Sequence, residues 1–238
     1  MATSPWPARV TMAKTTDPSG FSGWRGDFQA FFLGLQVNNT KAYFDAHRRR
    51  YEDDVKAPMV ALLAELEPEF GPARLSRPNR DIRFAADKSP YKTNIYADAR
   101  SGGYVSLDAT SLVAAGGRYM LEVQELARFR EAAAAAKPGA ALGRIVGALR
   151  EKGYEIGGQD LKRVPPPYPR DHPRADLLRH KRLIYWRRWK IEPWIATTTV
   201  RERVAEVWRD GDELSSWLST HVDDRGPAVP AGARGRKA

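Results

Sequence analysis

Residues 92–123 read KTNIYADARSGGYVSLDATSLVAAGGRYMLEV, and the rhythm of that stretch decides the fold. In KTNIYADA, Ile95 and Ala97 alternate with Asn94 and Tyr96, the period of a strand with one buried face. YVSLDA, SLVAA and RYMLEV follow as further strands. Gly-rich or polar breaks separate them, and SGG at 101–103 and GGR at 116–118 read as turns. Short strands with short connections pair antiparallel, because a parallel partner needs a crossover of about a dozen residues.

On either side the period changes to that of a helix. Upstream, Phe21, Trp24, Phe28, Phe31, Phe32 and Leu35 make one apolar stripe, which predicts a helix over 23–35. Asn38–Asn39 reads as a turn, and Thr40 as the cap of a second helix with Tyr43, Phe44, His47, Tyr51 and Val55 on one face. Pro58 is expected to end or kink that helix, since proline lacks an N–H and clashes with the preceding turn. Met59, Leu62, Leu63 and Leu66 carry a helix onward from it. Downstream, QELARFREAAAAA is a strong helix former. Another helix starts at Pro138, buries Leu142, Ile145, Val146 and Leu149, and stops at Gly153. YEI at 154–156 and LIYWRRWKI at 183–191 read as strands, with a short helix over 174–181 between them. The last helix runs over 198–221 and turns Val200, Val204, Val207, Trp208, Leu214, Trp217 and Leu218 inward. The fold class is therefore α+β: a single domain, its antiparallel sheet packed against helices from both ends of the chain.

Composition bounds the function. A chain of 238 residues with 42% hydrophobic residues can bury a sizeable core. The absence of cysteine excludes disulfides, thiolate catalysis and Cys–zinc sites. No window approaches the roughly 20 apolar residues of a membrane helix, and no apolar run opens the chain as a secretory signal would. A cytoplasmic location is the default expectation. Residues 1–20 read as a flexible leader in which Met12 offers an alternative start, 21–222 as the domain, and 225–238 as a flexible basic tail. Of the formal net charge of +10, the tail carries four and the leader one, so five remain for the domain.

Much of that charge gathers just before the first strand, in RPNRDIRFAADKSPYKT at 77–93. Arg77, Arg80, Arg83, Lys88 and Lys92 face only Asp81 and Asp87. Arginine grips a carboxylate or phosphate with a planar fork, and lysine adds a compact point charge. Two carboxylates cannot neutralise five cations, which leaves positive charge for water or an outside anion. Pro90 stiffens the segment and fixes the direction of Tyr91 and Lys92. The expectation is a preorganised pocket for an anionic small molecule, bearing phosphate or carboxylate, with the five cations as ligands. Asp81 and Asp87 would orient the arginines or serve as a base, and Tyr91 would donate a hydrogen bond or a proton. The competing reading is an ion-pair network in which each aspartate braces an arginine.

That segment is similar to R-x-x-R-D-x-R-F-x-x-[DN]-K-x-P-Y-K, the signature of a bacterial and fungal family, domain of unknown function 2461. FLGLQVNNTKAYFDAHRRRYEDDVKAP at 32–58 resembles the family's opening F-L-x-x-L-x-x-N-N-x-x-x-W-F-x-x-x-R-x-x-Y. GGRYMLEVQELARFREA at 116–132 resembles G-G-G-x-Y-x-P-x-x-x-x-L-x-x-x-R, and VPPPYPRDHPRADLLRHK at 164–181 resembles P-x-G-x-x-x-D-H-P-x-x-x-L-L-x-x-K. Two departures stand out: Met120–Leu121–Glu122 stands where the family usually has Met or Tyr and then Pro, and Pro-Pro-Tyr-Pro replaces the Pro-Gly ahead of Asp-His-Pro. The resemblance spans about 21–222. It implies the same fold and the same choice of site, and it implies no reaction.

The Asp171–His172–Pro173 run supplies further candidates. Asp171 suits the cap of the helix starting near Pro173. His172 is a second-tier catalytic candidate and Lys181 a second-tier anion ligand. His47 sits on an apolar helix face as a hydrogen-bonded core residue. His47, His180 and His221 lack metal-ligand spacing, so no metal is expected. No nucleotide cradle and no nucleophile elbow is present, and no cofactor is expected. A different class of function is a nucleic-acid-associated protein using the tail and the Tyr185–Lys190 strand. On that strand Tyr185 and Trp189 share the core face with Leu183 and Ile191. Only Trp186 joins Arg188 and Lys190 on the other face, and one ring falls short of a stacking platform. A third class is a scaffold in which the charge cluster is purely structural.

Overall fold

The computed structural model describes residues 20–223; the leader through residue 19, with Met12, and the tail at 225–238 lie outside them. Six antiparallel strands form one sheet in the order β1-β2-β3-β4-β6-β5. They are β1 Ala73–Leu75, β2 Asn94–Ala99, β3 Gly103–Asp108, β4 Ser111–Arg118, β5 Glu155–Gln159 and β6 His180–Lys190. The α+β architecture expected from the sequence is the one observed.

Register sorts each strand's residues onto two faces. Ile95, Leu107, Leu112 and Trp189 lie in one cross-strand row. Ala97, Val105 and Ala114 form the next, and Gly116 opposite Tyr185 the one after. This face is the core face: Ile95, Leu107, Leu112 and Tyr185 are almost wholly buried. It packs against helices from both ends of the chain. From the first end come α1 Phe28–Val37, α2 Lys41–Ala46, α3 Arg48–Arg50 and α4 Ala57–Phe70. From the far end come α5 Val123–Ala134, α6 Ala136–Glu151, the short α7 Ala175–Leu178, and the terminal pair α8 Thr199–Asp210 and α9 Asp212–His221. Phe70 meets Trp208 edge-on at 5.1 Å, and the Trp208 indole N–H donates to the Tyr104 carbonyl at 3.1 Å. These contacts tie α4, α8 and the sheet together.

Several expected boundaries move, each for a local reason. The first helix starts at Phe28, where Asp27 accepts from the Ala30 N–H as its cap; Phe21 and Trp24 reach the core from extended chain, with the Trp24 N–H on the Ile195 carbonyl. Pro58 does not end the second helical run. A π-helical stretch, Tyr51–Lys56, widens the turn ahead of it, and α4 continues through. RYMLEV is not a strand. Tyr119–Glu122 leave the sheet, and Glu122 and Glu125 form a reciprocal cap at the start of α5. The GGR expected as a turn lies inside β4. Gly117 has φ of +98°, and a Cβ there would fall 2.2 Å from the Leu183 carbonyl oxygen, so these glycines let β4 and β6 approach. The last helix is two, broken at Gly211, where a Cβ would fall 1.7 Å from the Tyr185 hydroxyl oxygen.

Candidate functional site

The cationic segment links β1 to β2 and folds back on itself. The Arg80 N–H donates to the Pro90 carbonyl and the Lys92 N–H to the Pro78 carbonyl, both at 2.8 Å. Asn79 and Tyr91 bridge between the two limbs. Pro90 fits because only its carbonyl is used.

Asn39, from the turn after α1, fixes this structure to the helices. Its side chain accepts from the Tyr91 N–H and donates to the Tyr91 carbonyl, both at 2.9 Å. A side-chain amide thus imitates a strand neighbour. The Tyr91 ring stacks flat on Phe44, with centroids 4.3 Å apart and planes within 5°. The Asn-Asn doublet was legible only as a turn; its clamp on Tyr91 was not.

Each cation has a defined place. Arg83 holds Asp81 with two bonds of 2.9 and 2.7 Å, and that guanidinium keeps the Asp81 carboxyl down at about 2. Arg80 pairs with Asp87 and donates to the Ser89 carbonyl at 3.3 Å. Asp87 also accepts from the Ser89 hydroxyl and N–H at 2.6 and 2.8 Å. Those Ser89 bonds, then Arg80, hold its carboxyl well below the usual range. Carboxyls so easily ionised accept a proton poorly, which weighs against either aspartate as a base near neutral pH. Lys88 donates to the Ile82 carbonyl at 3.1 Å. Lys92 donates to the Arg77 carbonyl at 2.7 Å and to the Asn79 carbonyl.

Hydrogen bonds are therefore satisfied internally, but charge is not. Both aspartates are taken by Arg80 and Arg83, while Lys88 meets a neutral carbonyl and Lys92 two carbonyls and, at 6.0 Å, the Tyr96 ring. Among the described residues Arg77 has no acidic partner. Burial, with Arg77 and Arg80 nearby, pushes the Lys92 ammonium below its ordinary pKa.

A cleft of about 400 Å³ opens beside this segment, lined by Gln36, Asn39, Arg80, Asp87, Ser89, Tyr91, Lys92, Thr93 and Asn94. The fold brings Arg80, Asp87, Tyr91 and Lys92 of the expected site together there. Arg77, Asp81, Arg83 and Lys88 do not line it; Arg83 and Phe84 point outward, and Phe84 is 97% exposed. Gln36, Thr93 and Asn94 were not anticipated, because no local pattern marks a polar residue that only tertiary structure turns into a cleft.

His172 and Lys181 do not join this site. Register aligns Asn94 with Asp108, and Ser111 with Lys190, at one end of the sheet. Lys181, the second residue of β6, lies at the opposite end, near Arg118 opposite Leu183, about 30 Å along a strand from Lys190. His172 lies in the loop before α7, where its ring Nδ1 accepts from the Arg174 N–H at 3.1 Å. The cap expected of Asp171 is not formed: α7 starts at Ala175 after Arg174, with no side-chain cap bond. His47 is hydrogen-bonded as expected, its Nδ1 lying 2.9 Å from the Tyr43 carbonyl oxygen, but it is half-buried rather than a core residue.

A family model described as a conserved hypothetical protein, DUF2461, matches residues 27–217. That span includes the cleft and the whole sheet. No curated protein and no solved structure matches the chain.

Proposed function

Because the chain belongs to the DUF2461 family of conserved hypothetical proteins, whose description supplies no activity, we propose a function from the cleft itself: it binds a small anion bearing a phosphate or carboxylate group. The observation that carries this is the state of Lys92. Its ammonium is partly withdrawn from water, has two carbonyls and the Tyr96 ring but no carboxylate as partners, and sits near two other cations. An anion in the cleft would meet Lys92 and Arg80 together, with Gln36, Thr93 and Asn94 as neutral partners. Arg80 would share its fork between the ligand and Asp87. The arrangement supports binding; with both aspartates ionised and paired, no general base is assigned.

Titration calorimetry with inorganic phosphate and with acetate tests this. Affinity should fall as salt rises. It should also fall as pH rises through the lowered Lys92 pKa, because the bound anion favours the protonated ammonium and the free site loses that proton first. Arg77→Gln, which removes charge without touching an observed side-chain bond, should weaken binding roughly two- to five-fold, the equivalent of about 0.5–1 kcal/mol for a partly solvated charge. Absence of heat from both anions at low salt would contradict the proposal.

A further inference from the structure

The sheet's second face carries the next inference. Residues alternating away from the core face are Tyr96, Tyr104, Val113, Ala115, Ile184 and Trp186, and all of them remain partly exposed. On β6 alone this face shows one ring, Trp186. The register adds others. Tyr104 lies opposite Ala115, which lies opposite Trp186, so two rings flank one small side chain in a single row. Tyr96 packs beside Tyr104 with centroids 5.7 Å apart. Tyr119, just past the end of β4 with the same alternation, is 67% exposed. The Trp186 ring spreads sideways over Gly157, where a Cβ would approach it to 2.6 Å. The rings thus span β2 to β6, about 14 Å across the strands.

Cations accompany the rings. Arg188 is exposed and anchored by a 2.8 Å bond to the Ser111 hydroxyl. Lys190 follows on the same face and is exposed. Arg182 lies over Tyr119 at 5.0 Å and is paired with Asp160 at 3.0 Å. Acids share this face. Asp108 accepts four bonds from Thr110 and Ser111, exposed Asp98 lies between Arg74 and Tyr104, and exposed Glu155, on the edge strand β5, lies opposite Trp186.

We propose that this open face is a stacking platform for single-stranded nucleic acid, adjoining the anion cleft at Tyr96, over whose ring Lys92 lies at 6.0 Å. Rings accept unpaired bases on their faces, while dispersed cations meet successive phosphates. A partly exposed face several strands wide suits a polymer laid across it. The net charge of +5 that remains for the domain without leader and tail is complementary to that occupant.

Fluorescence anisotropy with labelled oligo(dT) and oligo(U) of about fifteen nucleotides tests the platform on the full chain. Binding should weaken steeply with salt and exceed binding to a duplex of equal length. Trp186→Ala and Tyr104→Ala should each weaken it about ten-fold or more. Tyr119→Ser, at a largely solvated ring, keeps the test readable if a row variant misfolds, and should weaken binding in the same direction. Three results would each overturn the platform: no binding at low salt, equal affinity for duplex, or unchanged affinity in folded ring variants. The last includes the case in which deleting 225–238 alone abolishes binding.

Discussion

Gly117→Ala is expected to destabilise the protein by roughly 3–5 kcal/mol. The backbone there is in the left-handed region, at φ of +98°, and a new Cβ would lie 2.2 Å from the Leu183 carbonyl oxygen. A strained backbone costs about 1–3 kcal/mol, and overpacking typically adds about 1–3 kcal/mol. The clash is with main chain on the neighbouring strand, so no side-chain rotation relieves it. β6 would have to shift, and with it Tyr185, whose hydroxyl abuts both Gly116 and Gly211. Gly143→Ala provides the opposite control. That position lies in α6 with nothing within 4 Å of the added carbon, so alanine should stabilise by up to about 1 kcal/mol. Urea unfolding of the two variants checks both signs. A Gly117→Ala loss below about 1 kcal/mol would show that the strand pairing is looser than described.

The same position shows where the sequence is silent. Alternation in Asn94–Ala99 and in Gly103–Asp108, and the helical stripes before and after them, made the α+β class legible. Gly116–Gly117 resembled a turn because a glycine pair has the same local signature whether it bends a chain or admits a neighbour. Only the partner strand tells them apart. The broken terminal helix and the π-helical passage before Pro58 were hidden likewise. Gly211 yields to Tyr185 from a distant strand, and a widened turn leaves no mark on hydrophobic spacing.

Asn39→Ala is expected to cost about 2–4 kcal/mol and to loosen the cleft. The side chain satisfies both backbone groups of Tyr91, a residue only 7% exposed. Alanine would leave a buried donor and a buried acceptor, each worth about 1–3 kcal/mol when unpaired. Asn39→Asp should fall between the two, since it keeps the acceptor for the Tyr91 N–H and loses the donor. Denaturant unfolding gives the stability change, and hydrogen exchange at the Tyr91 amide reports whether the clamp itself opens. An Asn39→Ala variant as stable as the parent, with Tyr91 still protected, would contradict the clamp.

The candidate site was legible in part. The excess of cations over acids in 77–93 is a sequence fact, and the fold keeps Arg80, Asp87, Tyr91 and Lys92 around one cleft. What spacing did not show is that Arg83 would close on its neighbour Asp81 and point away, or that the two lysines would be tethered to carbonyls. Those outcomes depend on loop geometry set by Asn39 and the paired limbs. Lys181 and His172 were misplaced for a simpler reason: position along a chain does not reveal which end of a sheet a residue reaches.

The state of Lys92 is open to direct measurement. Side-chain NMR of the Lys92 ammonium, titrated against pH without and with inorganic phosphate, should give a midpoint below the ordinary lysine value of about 10.4 in the free protein, rising when phosphate is present. A midpoint that starts at or above the ordinary value, or does not move on adding phosphate, would contradict an anion site built on unmatched positive charge.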